Sequence, residues 1–94
     1  MYEILKFIEH RWPYDSHWLD GNCYWFAAIL KSRFPFLEIY YLPIVGHFVC
    51  GDAESNLFFD WSGQVILEEE PIKFETIQKE DPLWYDRIVR DCIL

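Results

Sequence analysis

Residues 21–30 constrain the fold most, because they predict a buried helix with a cysteine in its first turn. Asp20 and Asn22 are both residue types that cap helix N-termini, and the intervening glycine allows a sharp turn into the helix. One face of this helix is expected to carry Cys23, Phe26, Ala27 and Leu30. Pro35 ends the predicted helix near Arg33, so the segment is a short core helix.

Cys23 has two interpretations at this position. The positive end of the helix dipole and the unpaired amides of the first turn stabilise a thiolate and lower the pKa of the thiol. Alternatively, Cys23 is a small apolar residue at the head of a core helix, because free cysteine is among the most buried residue types. A histidine and an aspartate later in the chain favour the first interpretation.

The chain has 94 residues, which predicts a single domain over residues 1–94. A hydrophobic content of 52% and an aromatic content of 20% provide a core and exclude disorder. Three cysteines without a C-x-x-C spacing favour a reducing compartment over a disulfide framework or a zinc knuckle. With no signal peptide and no membrane-spanning apolar run in the sequence, we expect a cytoplasmic protein without a cofactor.

The chain is acidic, with sixteen Asp and Glu residues, eight Lys and Arg residues and a net charge of −8. Such a charge repels nucleic acid and anionic membranes. We therefore expect neither as a direct partner. The acidity suits a basic protein partner, or it serves solubility alone.

The order of predicted elements is helix, helix, strands, helix. A first helix covers 2–11, residues 72–79 form one or two helical turns, and Asp81–Pro82 opens a final helix with an N-cap and a first-turn proline. The predicted strands are 37–42, 47–50, 57–61 and, as a short extension, 64–67. Cys92 falls on the apolar face of the final helix and is expected in the core. This order predicts an α+β domain: a small antiparallel sheet of three to four strands packed with a central helix and N- and C-terminal helices.

The second and third strands bring a histidine near an aspartate. If Cys50 pairs with Leu57, then His47 lies directly opposite Asp60 on the same face of the sheet. A carboxylate there can orient the imidazole and leave its other nitrogen for the central helix, which we expect on that face. Taken singly, His47 is also typical of a packed strand-edge residue, and Asp60 of an acid that caps the turn after it.

Cysteine, histidine and aspartate in this order correspond to a nucleophile, its base and the residue that orients the base. The pattern resembles the core of the transglutaminase-like and papain-like cysteine enzymes over residues 20–63. Those enzymes have a glycine just before the cysteine, as Gly21 stands just before Cys23 here. Their histidine is separated from the aspartate by a hairpin, as His47 is from Asp60. The resemblance implies a papain-like minimal core with Cys23 as nucleophile, His47 as general base and Asp60 as orienting residue.

An oxyanion hole would need donors beside the cysteine. The Cys23 backbone amide is one candidate, and the side chain of Asn22 or Trp18 is a second. For Asn22 the favoured alternative is a plain helix N-cap. No metal site is predicted, because the polar residues near Trp18, namely Asp15, His17 and Asp20, follow no recognised ligand spacing.

Two functions of different classes fit the sequence. The first is a small intracellular cysteine-dependent hydrolase or acyl transferase, a peptidase, deamidase or transglutaminase-like enzyme, acting on a protein or peptide. The second is a non-catalytic acidic binding protein, such as a mobile-element inhibitor of the anti-CRISPR or anti-restriction type that blocks a basic nucleic-acid-binding partner. An accessible Cys23 with a lowered pKa favours the enzyme, and a sealed one favours the binding protein. The sequence predicts no particular oligomeric state.

Overall fold

The computed structural model describes residues 2–11, 23–60 and 62–93. Within them the chain forms an α+β domain in which four α-helices accompany one five-stranded antiparallel sheet. The predicted fold class is therefore confirmed. None of the helices in the described ranges combines the length and the apolar composition that crossing a membrane requires.

The helices agree with the sequence pattern at both ends of the chain. They are α1 (Tyr2–Arg11), α2 (Cys23–Arg33), α3 (Phe74–Glu80) and α4 (Pro82–Ile88), and a π-helical turn over Val89–Ile93 follows α4. At the start of α4, the Asp81 carboxylate accepts a hydrogen bond from the Trp84 backbone N–H at 3.2 Å. The predicted cap of the last helix is thus formed by the predicted residue.

The sheet contains one strand more than predicted. Its strands are β1 (Glu38–Leu42), β2 (His47–Asp52), β3 (Leu57–Asp60), β4 (Gly63–Val65) and β5 (Ile72–Lys73), in the spatial order β4-β3-β2-β1-β5. The short β5 pairs with β1 at the other edge of the sheet from β4. The sequence assigned these two residues to a helix, because a two-residue edge strand depends on its tertiary neighbour and leaves almost no local pattern.

The pairing of β2 with β3 differs from the prediction by two residues. Cys50 lies opposite Phe59 rather than Leu57. The predicted register is wrong because β2 continues to Asp52, which ends the strand by forming the turn. Since side chains alternate with a period of two, a shift of two residues leaves every side chain on its predicted face.

Asp52 and Asn56 explain why the hairpin turn is tight. The Asp52 carboxylate accepts hydrogen bonds from the Glu54 backbone N–H at 3.1 Å and from the Ser55 hydroxyl at 2.8 Å. Asn56 then takes a left-handed conformation with φ of 56°, which asparagine tolerates better than most residues. These two features fix the turn to residues 53–56 and set the register of the strands beside it.

Gly51 permits the close approach of β2 and β3. A Cβ atom at this position would lie 2.4 Å from the Leu57 carbonyl oxygen and 2.5 Å from a ring carbon of Phe58. Both distances are far inside van der Waals contact. Any side chain here would push the two strands apart at the centre of the sheet.

All four helices cover one face of the sheet. Helices α1 and α2 pack through Ile4, Ile8, Phe26, Ala27 and Leu30 against Cys50 and Phe59. The later helices pack through Phe74, Ile77 and Ile88 against Tyr41 and Phe48. This face holds most of the buried aromatic side chains and provides the main core.

The other face of the sheet is covered by the end of β4 and the chain that follows it. Val65 and Leu67 pack over the buried residues Tyr40, Leu42, Val49 and Phe58. His47 shares this face with Leu42 and Val49 by strand alternation. The prediction that the central helix packs on the face of His47 is therefore wrong, because α2 lies on the opposite face. The strand sequence is apolar on both faces, so periodicity gave no basis for choosing between them.

Candidate functional site

Cys23, His47 and Asp60 come together at one end of the sheet. Cys23 is the first residue of α2, His47 is the first residue of β2, and Asp60 is the last residue of β3. The His47 imidazole interacts with both of the others: it hydrogen-bonds the Cys23 thiol, and its Nε2 atom lies 3.5 Å from Asp60 Oδ2. The three residues named from the sequence are thus neighbours in space.

His47 meets Asp60 along a diagonal of the sheet. Continuing the observed register by one residue sets Asp60 opposite Val49 and leaves His47 one diagonal step away. Diagonal neighbours on one face remain within reach of long or aromatic side chains. The direct opposition predicted from the sequence is wrong, but the shared face still brings the two groups to ion-pair distance.

Cys23 reaches His47 around the end of β2. The helix that carries it packs on the other face of the sheet, where Cys23 contacts the cluster around Phe48. Cys23 is the first residue of α2 and His47 is the first residue of β2. The two side chains therefore meet beyond the end of the sheet, although they start from opposite faces of it. Cys23 also interacts with the Phe48 backbone and is only partly buried. It therefore combines packing against the core with an accessible edge.

Ser62 holds the carboxylate of Asp60 in place. Its backbone N–H and its hydroxyl both donate to Asp60 Oδ1, at 2.8 Å and 2.5 Å. The other oxygen, Oδ2, is the one that faces His47. The sequence offered two alternative roles for Asp60: capping the turn after β3 or contacting the imidazole. In the structure Asp60 has both roles, because one oxygen binds Ser62 and the other faces His47. The Asp-x-Ser spacing was the signal for Ser62.

The charges of the three groups support one another. Burial acts to raise the pKa of the Asp60 carboxyl, but hydrogen bonds from His47 and Ser62 outweigh it and hold that pKa below its usual 3.8. The contact with Asp60, followed by that with Cys23, raises the pKa of His47 from 6.5 to about 9, although burial opposes the shift. Asp60 is therefore ionised and His47 is an imidazolium at neutral pH.

Cys23 has the complementary shift. Burial acts to raise the pKa of its thiol, but the hydrogen bond from His47 and contacts with the Phe48 and Tyr24 backbones outweigh burial and lower the pKa from 9.0. Burial raises the pKa of the Cys50 thiol to about 12. The pKa shifts of these two thiols are opposite in direction, and the shift at Cys23 favours its thiolate beside the His47 imidazolium.

A pocket of about 250 Å³ opens next to this group on the face of the sheet away from the helices. His47 and Asp60 form part of its wall. Its other lining residues are Leu42, Val45, Val49, Val65, Ile66, Leu67, Glu68 and Glu69. The histidine is therefore accessible from this pocket as well as in contact with the cysteine.

Several residues singled out in the sequence lie outside the described part of the chain. They are Asp15, His17, Trp18, Asp20, Asn22 and the side chain of Cys92. The oxyanion roles of Asn22 and Trp18 thus remain predictions. In the described ranges, no group of three or more His, Cys, Asp and Glu side chains is arranged to hold a metal ion.

Comparison with known proteins places the chain in one family. No solved structure matches the chain. The resemblance to transglutaminase-like and papain-like enzymes therefore stays a prediction. The family that matches is described as Phage YunG-like protein, and the match covers residues 4–90, which include Cys23, His47 and Asp60. The chain belongs to this Phage YunG-like family.

Proposed function

We propose that this protein is a cysteine-nucleophile enzyme that cleaves or transfers acyl groups of a protein or peptide. The observation that carries the proposal is the position of His47, which contacts the Cys23 thiol and the Asp60 carboxylate at once. A nucleophile, a base and a residue that orients the base are the three parts that such chemistry requires. The pKa shifts of all three groups favour the reactive charge state.

In the first half of the reaction, the Cys23 thiolate attacks the carbonyl carbon of an amide. A carbon–sulfur bond forms, and the carbonyl electron pair moves to the oxygen. When the tetrahedral intermediate collapses, the carbon–nitrogen bond breaks and the His47 imidazolium gives its proton to the leaving amine. The product is a thioester on Cys23 and a free amine.

In the second half, the neutral His47 acts as a base. It takes a proton from an attacking water, or from an amine in a transferase, as that nucleophile adds to the thioester carbonyl. Collapse breaks the carbon–sulfur bond and regenerates the thiolate and the imidazolium. Asp60, held by Ser62, keeps the imidazole oriented and favours its protonated form.

The start of α2 supplies one candidate for stabilising the developing oxyanion. Cys23 is the first helical residue, and the first amides of a helix have no partner within it. Its backbone N–H could donate to the carbonyl oxygen as that oxygen gains charge. Asn22 and Trp18 are proposed as sources of a second donor.

A non-catalytic role is the second candidate, and two observations favour it. The family is described as a phage one, and the chain carries a net charge of −8. A small acidic protein can occupy the basic nucleic-acid-binding channel of another protein, as an inhibitor carried by a mobile element would. In that case the side chains around Cys23 serve packing, and the thiol turns over no substrate.

Turnover of p-nitrophenyl acetate distinguishes the two functions. The enzyme proposal expects release of p-nitrophenol over many turnovers, with an acetyl group trapped on Cys23 by mass spectrometry after acid quenching. Cys23→Ser should abolish both signals, and His47→Gln should lower turnover by about 100-fold or more. Cys50→Ala serves as the matched control, because it removes a buried thiol with a pKa of about 12 and should leave turnover unchanged.

A result in which turnover does not depend on Cys23 supports the non-catalytic, binding role. Release of p-nitrophenol at the same rate in the wild type and in Cys23→Ser would contradict the enzyme proposal. Circular dichroism of each variant establishes that a loss of turnover does not come from a loss of fold.

A further inference from the structure

The pocket beside His47 has an apolar floor. Its floor is formed by Leu42, Val49 and Val65 from the sheet and by Leu67 from the chain that follows β4. Strand alternation continues past β4, so that Val65, Leu67 and Glu69 are partly buried while Ile66 and Glu68 are exposed. The segment after β4 thus builds one wall of the pocket and exposes alternate side chains beside it.

Carboxylates surround this apolar floor. Asp60, Glu68 and Glu69 all line the pocket, whereas His47 is the one basic residue among the described residues of its lining. The positive charge of His47 is matched by Asp60 at 3.5 Å, so the two glutamates leave the pocket with a net negative charge. A group that enters the pocket from solvent meets an apolar surface with a negative rim.

Glu69 also fixes the shape of the pocket. Its two carboxylate oxygens accept hydrogen bonds from the backbone N–H groups of Ile44 and Val45, at 2.8 Å and 3.1 Å. These contacts tie the segment after β4 to the turn between β1 and β2. The exposed side chains beside this junction are large and apolar: Ile44 is 84% exposed and Ile66 is 93% exposed.

We propose that this pocket binds the side chain of a lysine or arginine of a protein or peptide substrate. The methylene groups of such a side chain would lie on the apolar floor while its charged end reaches the carboxylates at the rim. An acidic side chain would meet like charges, and a purely apolar one would make no ion pair with the exposed Glu68 carboxylate. This inference rests on the proposed function, because it names the substrate that the cysteine would act on.

The position of the pocket gives the bound side chain a role in the chemistry. His47 forms part of the pocket wall and also contacts Cys23. If a basic side chain is held in this pocket, the adjacent peptide bond of the substrate would lie near His47 and Cys23. The exposed apolar residues beside the pocket offer further contact to the substrate backbone and to its neighbouring side chains.

A titration followed by methyl NMR tests the proposal on the whole protein. The probes are the N-acetyl, N-methylamide derivatives of lysine, of its uncharged analogue norleucine and of glutamate. We expect the lysine derivative to shift the methyl signals of Leu42, Val49 and Val65 and to bind more tightly than the norleucine derivative. Equal affinity for lysine and norleucine, or shifts confined to other methyl groups, would overturn the proposal.

Glu68→Gln and Glu70→Gln form a matched pair of variants. Both residues are exposed and belong to the same segment, but only Glu68 lines this pocket. Glu68→Gln should weaken lysine binding by about two- to five-fold, as expected for one exposed ion pair, while Glu70→Gln leaves it unchanged. An equal effect of the two variants would mean that general acidity, not this pocket, attracts the probe.

The same titration on Cys23→Ser separates this proposal from the enzyme proposal. Because the thiol does not line the pocket, lysine binding should persist at the same affinity when Cys23 is replaced. If the probe binds and no acyl chemistry occurs, the pocket is a binding site and the enzyme proposal has failed. If turnover occurs and the probe does not bind, the enzyme proposal stands and the substrate inference is wrong.

Discussion

Replacing Asp60 by asparagine should lower the pKa of His47 while leaving the fold intact. The change keeps the size and shape of the side chain and removes its charge. Asp60 makes the largest contribution to the pKa of about 9 at His47, ahead of Cys23. An opposite charge within a few ångströms shifts a pKa by about 1–3 units, so the His47 pKa should fall by at least about 1.

The size of the effect on stability follows from the same contact. A rise from 6.5 to about 9 corresponds to about 3 kcal/mol in favour of the imidazolium in the folded state, from all of its causes together. The His47 side chain is 30% exposed and the Asp60 side chain 18% exposed, so solvent screens part of this interaction. We therefore expect Asp60→Asn to cost about 1–2 kcal/mol in the free energy of unfolding where His47 is charged in both states.

The pH dependence has a definite sign. Because the pKa of His47 is higher in the folded state than in the unfolded chain, its stabilising contribution is fully present below pH 6.5. It is lost as the pH rises from 6.5 to about 9. The difference in unfolding free energy between the wild type and Asp60→Asn should therefore shrink across that window.

Proton NMR of the imidazole, followed as a function of pH, measures the pKa directly, and urea unfolding at several pH values measures the stability. Asp52→Asn is the matched control, because Asp52 also accepts a hydrogen bond from a serine hydroxyl near a turn but interacts with Ser55 rather than with His47. A wild-type His47 that titrates near 6.5, or an Asp60→Asn variant whose His47 has the same pKa as in the wild type, would show that Asp60 does not raise the pKa of His47.

Three further substitutions, the last with a matched control, test the hydrogen bonds that hold Asp60 and the packing of the core. Ser62→Ala removes the hydroxyl that holds Asp60, so it should slow alkylation of Cys23 by iodoacetamide and lower the free energy of unfolding by about 0.5–1.5 kcal/mol. Unchanged alkylation would show that the Asp60 carboxylate does not need this hydrogen bond. Gly51→Ala should lower the urea midpoint by the equivalent of about 1–3 kcal/mol, since its Cβ would overlap the neighbouring strand, and a wild-type midpoint would contradict the strand spacing. Ile88→Ala should cost about 2–5 kcal/mol while the exposed Asp86→Ala costs little, and equal midpoints would mean that α4 docks by another face.

The sequence predicted most of the helices and the proximity of Cys23, His47 and Asp60. Residue types at helix spacing identified α1 and α2, and Asp81 followed by proline marked the start of α4. These signals are local, because a cap or an apolar stripe is formed by residues within a few positions of one another. The approach of His47 to Asp60 was also predictable, since strand alternation places them on one face in either register.

The parts that the sequence missed depend on contacts between distant segments. The choice of sheet face for α2 could not be made, because β2 is apolar on both faces and alternation alone does not rank them. The pairing of β5 with β1 joins residues some 30 positions apart, and a two-residue strand carries no periodic signal. The hydrogen bonds from Ile44 and Val45 to Glu69, which shape the pocket, likewise join distant positions that no short motif relates.

The dependence of Cys23 alkylation on pH tests directly whether His47 activates the Cys23 thiol. Wild-type protein and His47→Gln would be treated briefly with iodoacetamide at a series of pH values, and the labelled cysteines quantified by peptide mass spectrometry. We expect that Cys23 in the wild type reacts faster than Cys50 and Cys92 at neutral pH, with an apparent pKa below 9.0 that rises when His47 is replaced. A Cys23 that titrates at 9.0 or above in both proteins, or that reacts no faster than Cys50, would contradict the account.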